Sequence, residues 1–141
     1  QDLLHQGEVI HDRLEIIRAR APQVIQEYQQ RLHQRITELA AEAKLQVQQQ
    51  DLIREVAVFA ERSDISEELS RVAGHLDQLQ QVVRGERGKD PTGRTIDFLA
   101  QELLREANTI ASKSSDAEIS RAAVDIKSAI DRIKEQAQNV E

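Results

Sequence analysis

At 141 residues with a net charge of −6, the chain fits one domain, and a compact fold of that length buries about 68% of its unfolded surface. Cysteine is absent, which excludes a disulfide framework and thiolate metal centres and fits a reducing cytoplasm. No apolar run reaches membrane-spanning length and no signal peptide is visible; with no Met and a start at Gln1, the chain reads as part of something longer. Tyr28, Phe59 and Phe98 are the only aromatic residues, and Pro22 and Pro91 the only prolines. A core without large rings must be built from Leu, Ile, Val and Ala, so the composition predicts an all-α fold of elongated antiparallel helical hairpins.

Apolar residues from Leu3 through Ile10, Leu14, Ile17, Val24, Tyr28, Leu32 and Ile36 to Val47 recur three, four or seven apart. The stripe crosses Pro22, so residues 2–49 are expected to form one long helix kinked there, with two helices breaking at Arg20-Ala21 as the alternative. A short helix over 51–62 carries Leu52, Val56 and Phe59. Asp64 then suits an N-cap, with Glu67 completing a capping box for a helix over 64–86. That helix bears a heptad seam, Ile65, Val72 and Leu79 beside Leu69, Leu76 and Val83, as in a coiled coil. Gly85, Gly88 and the run Lys89 to Gly93 end it in a loop. A helix over 94–112 puts Ile96, Leu99, Leu103, Ala107 and Ile110 on one face. The last, over 116–139, repeats Ile119, Ile126, Ile133 and Val140, with small Ala122 and Ala129 permitting close approach. These seams exceed the needs of one narrow bundle, which predicts self-association.

The polar residues of the 94–112 helix fall into two adjacent strips. One holds Asp97, Gln101, Arg105, Asn108 and Ser112; the other holds Glu102, Glu106, Thr109 and Lys113. Glu102 and Glu106, one turn apart, could share a divalent cation such as Mn²⁺ or Mg²⁺, which would polarise a phosphodiester while Arg94, Arg105 and Lys113 held phosphate oxygens. The plainer reading is a solvated face of i,i+4 ion pairs. On the 64–86 helix, Glu68, Arg71 and His75 share a stripe, placing a carboxylate, a cation and an imidazole where metal ligation or proton transfer could use them. Capping and pairing explain much of that motif without chemistry.

Glu8-x-x-His11 has the spacing of di-metal carboxylate bundles, but no second copy occurs in the chain. Phosphate-cradling glycine loops, nucleophile elbows and zinc spacings are missing. The charge disfavours a uniformly basic nucleic-acid binder, although fourteen of nineteen basic residues are Arg, the better phosphate fork. With so few aromatics, RNA would be held through Arg and Lys on phosphate rather than by base stacking, and binding would be salt-sensitive.

The run Gly93-Arg94-Thr95-Ile96-Asp97-Phe98, continuing through Gln101-Glu102 and Arg105-Glu106-Ala107-Asn108 to Lys113, resembles the C-terminal half of the YicC-like family of bacterial endoribonucleases. Asp116 to Glu141, the Arg20 to Leu32 segment, and Asp64 to His75 add to the likeness, which covers essentially the whole chain. Thr95, Leu104, Ala111 and Ala137 depart from the family pattern. The resemblance implies a cytoplasmic, divalent-metal-dependent endoribonuclease cutting single-stranded RNA within a ring-like homo-oligomer, a hexamer, whose separate N-terminal domain is absent here. It implies metal at Glu102, Glu106, Asp97 and Glu68, catalysis by Glu102, Glu106 and His75, and RNA contacts from Arg94, Arg105, Lys113, Arg71 and Asn108. The rival expectation is a non-catalytic helical scaffold for oligomerisation or RNA binding.

Overall fold

The computed structural model describes residues 2–43, 48–85 and 92–140. They form five helices, α1 (Asp2–Ala43), α2 (Gln49–Arg62), α3 (Ser66–Val83), α4 (Thr92–Lys113) and α5 (Ala117–Val140), with no strand among the described residues. The expected loop falls largely on residues 86–91, and Val47 and the side chain of Val140 also lie outside the described residues.

Short connections favour antiparallel neighbours. Helices α1, α3, α4 and α5 accordingly pack in that cyclic order around one core. Ion pairs Arg13–Asp125 and Arg20–Asp116 run α1 against α5, and Arg71–Glu106 and Lys113–Glu68 run α3 against α4. Inside lie Ile10, Leu14 and Ile17 of α1, the α3 seam, and Ile96, Leu103 and Ile110 of α4, closed by Ile119, Ile126, Ile130 and Ile133 of α5. Ala122, Ala129 and Ala137 are buried between the isoleucines, where small side chains let the helices approach. The heptad residues Ile65, Leu69, Val72, Leu76 and Leu79 are all buried in this core, with Val83 packed at its edge. The seams that suggested self-association are therefore covered within a single chain.

Three local signals of the sequence can be followed into the structure. Helix α1 runs through Pro22 as one long helix, so the two-helix alternative is not adopted; it is described to Ala43, and residues 44–47 of the expected span lie outside the described residues. Pro22 is exposed and costs the helix one backbone donor, while the apolar stripe on either side continues to pack. The capping box at α3 does not form. The helix starts at Ser66 with Ile65 flanking it; the Asp64 carboxylate accepts the Ser66 amide at 3.0 Å, the Asp64 amide donates to the Glu61 carbonyl, and Glu67 pairs with Arg71 instead. Gly85, at φ 76, supplies the left-handed residue that ends α3.

Helix α1 is about 63 Å long, roughly twice α3 or α4, so its second half overhangs the bundle. Helix α2 folds back along this overhang before the chain breaks at Ser63 to Ile65 and continues in the same sense as α3. The register is continuous: Tyr28 stacks on Phe59 and Pro22 shares a cleft with Ile65, while Gly7 lies beside Leu76 and Gln80. The result is one long hairpin whose lower half belongs to the bundle and whose upper half is a two-helix arm. No residue of α2 is buried.

Candidate active site on α3 and α4

The facing surfaces of α3 and α4 bring Glu68, Arg71, Glu106 and Lys113 together. Glu68 side chain is only 4% exposed, and its Oε2 accepts Lys113 Nζ at 2.8 Å with an Arg71 guanidinium nitrogen at 3.8 Å. Arg71 Nε donates to Glu106 Oε2 at 2.9 Å, and another guanidinium nitrogen reaches Glu67 at 2.9 Å. Lys113 Nζ also donates to the Asp64 carbonyl at 3.2 Å, tying the end of α4 to the start of α3. This closes two cations and two buried carboxylates into one network, an arrangement in which removing one member strands a charge.

Burial pushes the Glu68 carboxyl up, but the Lys113 hydrogen bond, with backbone amide donation and the Lys113 and Arg71 charges, outweighs it and holds the group below its ordinary value. Lys113 is raised chiefly by its hydrogen bond to Glu68, and Arg71 by its hydrogen bond to Glu106. Two buried polar atoms on this α3 stripe, Glu68 Oε1 and His75 Nδ1, have no hydrogen-bond partner among the described residues. Native structures leave few such atoms unsatisfied, so these two mark the costliest polar positions of the stripe.

Not every expected site residue joins the network. Glu102 is half-buried one turn from Glu106, with Arg105 Nε at 3.8 Å. The antiparallel register of the Arg71–Glu106 pair places His75 level with Glu102. Asp97 sits toward the start of α4, beside Gly93, Arg94 and Gln138. Arg94, Arg105 and Asn108 point to solvent along one strip, while Arg71 and Lys113 are held by carboxylates. Leu104 packs against the core rather than lining the polar face. His5, Glu8, His11 and His33 are exposed and lie outside this cluster.

No three acidic or histidine side chains converge as a cation cage among the described residues. The four expected metal carboxylates thus do not form an all-protein site. Glu102 and Glu106 lie one turn apart on α4, Glu106 buried with one carboxylate oxygen held by Arg71 and Glu102 half-buried. Sequence periodicity identified the two polar strips, but it missed the exposure of Phe98 between Arg94 and Arg105, whose 61% accessible surface only packing reveals.

No described helix is long and apolar enough to cross a membrane. A family model for the C-terminal part of YicC-like endoribonucleases matches residues 17–141. The chain is 37% identical, over all of its length and 47% of the relative's, to a probable endoribonuclease YicC of Clostridioides difficile. It is 36% identical, over 96% of its length and 47% of the relative's, to a protein of the same description from Haemophilus influenzae. It therefore spans about half the length of the curated relatives it matches.

Proposed function

The chain belongs to the endoribonuclease YicC-like family, and from that premise we propose that it forms the catalytic helical region of an endoribonuclease acting on single-stranded RNA. The observation that carries this reading is the Glu68–Arg71–Glu106–Lys113 network, its two carboxylates buried and its two cations partly exposed, which sits where two segments resembling the family meet.

In this reading Arg94, Arg105 and Asn108, free to solvent on α4, hold RNA phosphates and sugars. The network fixes the orientation of Glu106 and keeps Glu68 ionised. A divalent cation, Mn²⁺ or Mg²⁺, held by Glu102 and Glu106 would neutralise charge on the phosphodiester. His75, half-buried and level with Glu102, is the imidazole of this stripe that would move the proton when the bond breaks, through the part of its ring that is not buried. Arg71 and Lys113 position the carboxylates first and contact phosphate only through their exposed edges.

Self-association into a ring is part of the same proposal. It is supported by Leu39 and Ile53, exposed at 43% and 64% on the arm, rather than by the heptad seams. Light scattering on the full-length protein and on Ile53→Asp measures it, a fall in mass being expected for the variant; a monomeric wild type removes the ring.

The deciding experiment is cleavage of end-labelled single-stranded RNA with Mn²⁺, Mg²⁺ or EDTA by the full-length protein, Glu102→Gln and Glu106→Gln. Cleavage is expected only with metal and only in the wild type, with helicity unchanged. Glu102→Gln is the cleaner variant, because Glu106→Gln also weakens an ion pair to Arg71. Activity retained in both variants would remove the assigned residues. No cleavage under any metal would leave the network as a lock between α3 and α4 in a non-catalytic scaffold.

A further inference from the structure

Of the three aromatic rings, Tyr28 and Phe59 lie on one another with centroids 3.8 Å apart, while Phe98 stands 61% exposed. Its neighbours Ile96 and Leu99 are buried at 0% and 3%, so the helix has fixed which way Phe98 faces. Unlike the comparably exposed Ile53 and Val124, Phe98 carries a flat π-face that a planar ligand can stack on.

The strip on which Phe98 lies is Arg94, Phe98, Gln101, Arg105, Asn108 and Ser112, all exposed and spaced four, three, four, three and four apart. Lys113 is the remaining exposed residue of the helix from Gly93 onward. None of these exposed residues is acidic, although the chain carries −6 overall; the half-buried Asp97 flanks the strip in a cleft shared with Arg94. The exposed face of α5, by contrast, includes Glu118, Asp125, Asp131 and Glu135. Glu102 reaches the α4 strip only through a 3.8 Å approach to Arg105, which stays 75% exposed.

We infer that Phe98 is a stacking platform for one unpaired base of an RNA strand, with Arg94 and Arg105 contacting phosphates on either side of that base. This rests on the proposed RNA substrate and deepens it. The two guanidinium groups start about 6 Å and 10 Å along the helix axis from Phe98, one before it and one after it. A strand laid along α4 thus meets charge, ring and charge in order. Gln101 and Asn108, with amide donors and acceptors, lie on the same line and suit base edges or the 2′-hydroxyl. A ring can take a base only when that base has left its own stack, so Phe98 is a specificity residue for single strands. Duplex RNA offers the strip phosphates alone. Stacking also tolerates any base, giving strand selectivity without sequence selectivity.

The test is equilibrium binding of a short fluorescein-labelled oligouridylate, and of a duplex of equal length, to the full-length protein and to Phe98→Ala, Phe98→Trp and Arg105→Ala. RNA integrity is checked on a gel after each titration. Phe98→Ala is expected to weaken single-strand binding by about 5- to 150-fold, the range for one base–aromatic stack, to leave duplex binding unchanged, and to keep the salt dependence of the wild type. Arg105→Ala should lower the slope of log affinity against log salt by about 0.7 on the single strand and by about 0.9 on the duplex. Phe98→Trp should restore affinity, and its indole fluorescence, taken as the difference from wild type, should quench on adding RNA. Single-strand affinity unchanged in Phe98→Ala, with wild-type binding intact, overturns the inference and leaves the RNA reading standing. Affinity unchanged together with an altered mass by light scattering assigns Phe98 to a contact between copies and overturns it equally. A wild type that binds neither RNA brings down both.

Discussion

The bundle and the arm are made from the same residues in the same rhythm, yet they are held in different ways. In the bundle, apolar positions on α1, α3, α4 and α5 meet partners on two sides, and Ile10, Val72, Leu103 and Ile126 reach 0% exposure. In the arm, an equally periodic stripe meets only one other helix, so Ile36, Leu52 and Val56 stay half-exposed and α2 buries nothing. Its most specific contact is the Tyr28–Phe59 stack, with Tyr28 Oη donating to Glu55 at 3.4 Å. Periodicity reports which face of a helix is apolar; the number of neighbours decides whether that face is buried.

The largest effect that sharpens this contrast is expected from Ile126→Ala, which removes a fully buried side chain where four helices meet. It should cost about 2–5 kcal/mol in chemical denaturation, and a loss under 1 kcal/mol would show that the bundle repacks freely.

An intermediate effect is expected at the joint between bundle and arm. Arg20 hydrogen-bonds Glu27 at 2.6 and 2.9 Å and Asp116 at 2.9 Å, with Glu118 at 3.3 Å. Asp116 in turn accepts the Ile119 amide at the start of α5. The Arg20 hydrogen bonds depress both Asp116 and Glu27 carboxyls, so their contribution is present at neutral pH and is lost as pH falls below about 4, the unfolded carboxylate range, through the lower folded values. Arg20→Ala should lower the melting temperature at pH 7 and flatten that acid-side fall. Parallel melting curves for wild type and variant down to pH 3 would contradict the assignment.

The smallest effects belong to the arm. Phe59→Ala should weaken it by about 0.5–1.5 kcal/mol, seen as faster amide exchange in α2 while α4 and α5 keep their protection. A global loss of protection in Phe59→Ala would mean that arm and bundle unfold as one unit.

The all-helical class and the apolar faces of α3, α4 and α5 were legible in the sequence because 3.6-residue spacing needs only local chemistry. Covering of the heptad seams was not, since nothing in Leu76 or Leu79 says whether the partner helix comes from the same chain. The strip holding Glu102, Glu106 and Lys113 was likewise visible, as was the α3 stripe of Glu68, Arg71 and His75. Their joining through Arg71–Glu106 and Lys113–Glu68 was hidden, because it depends on the antiparallel register of two helices. Asp64 illustrates a local signal read in the correct place with the wrong geometry: its carboxylate serves the first turn of α3, yet its own amide turns back to Glu61.

The unbroken course of α1 through Pro22 makes it a lever. Proline removes the hydrogen bond that would staple this turn, and Arg20 clamps the same point to α5, so bending there is softest just where the helix leaves its support. From Arg20 to Ala43 the helix extends about 34 Å, and a tilt of about 10° at that fulcrum swings the tip by about 6 Å. Rotations too small to disturb the bundle core thereby become displacements as wide as a helix turn at the far end of the arm.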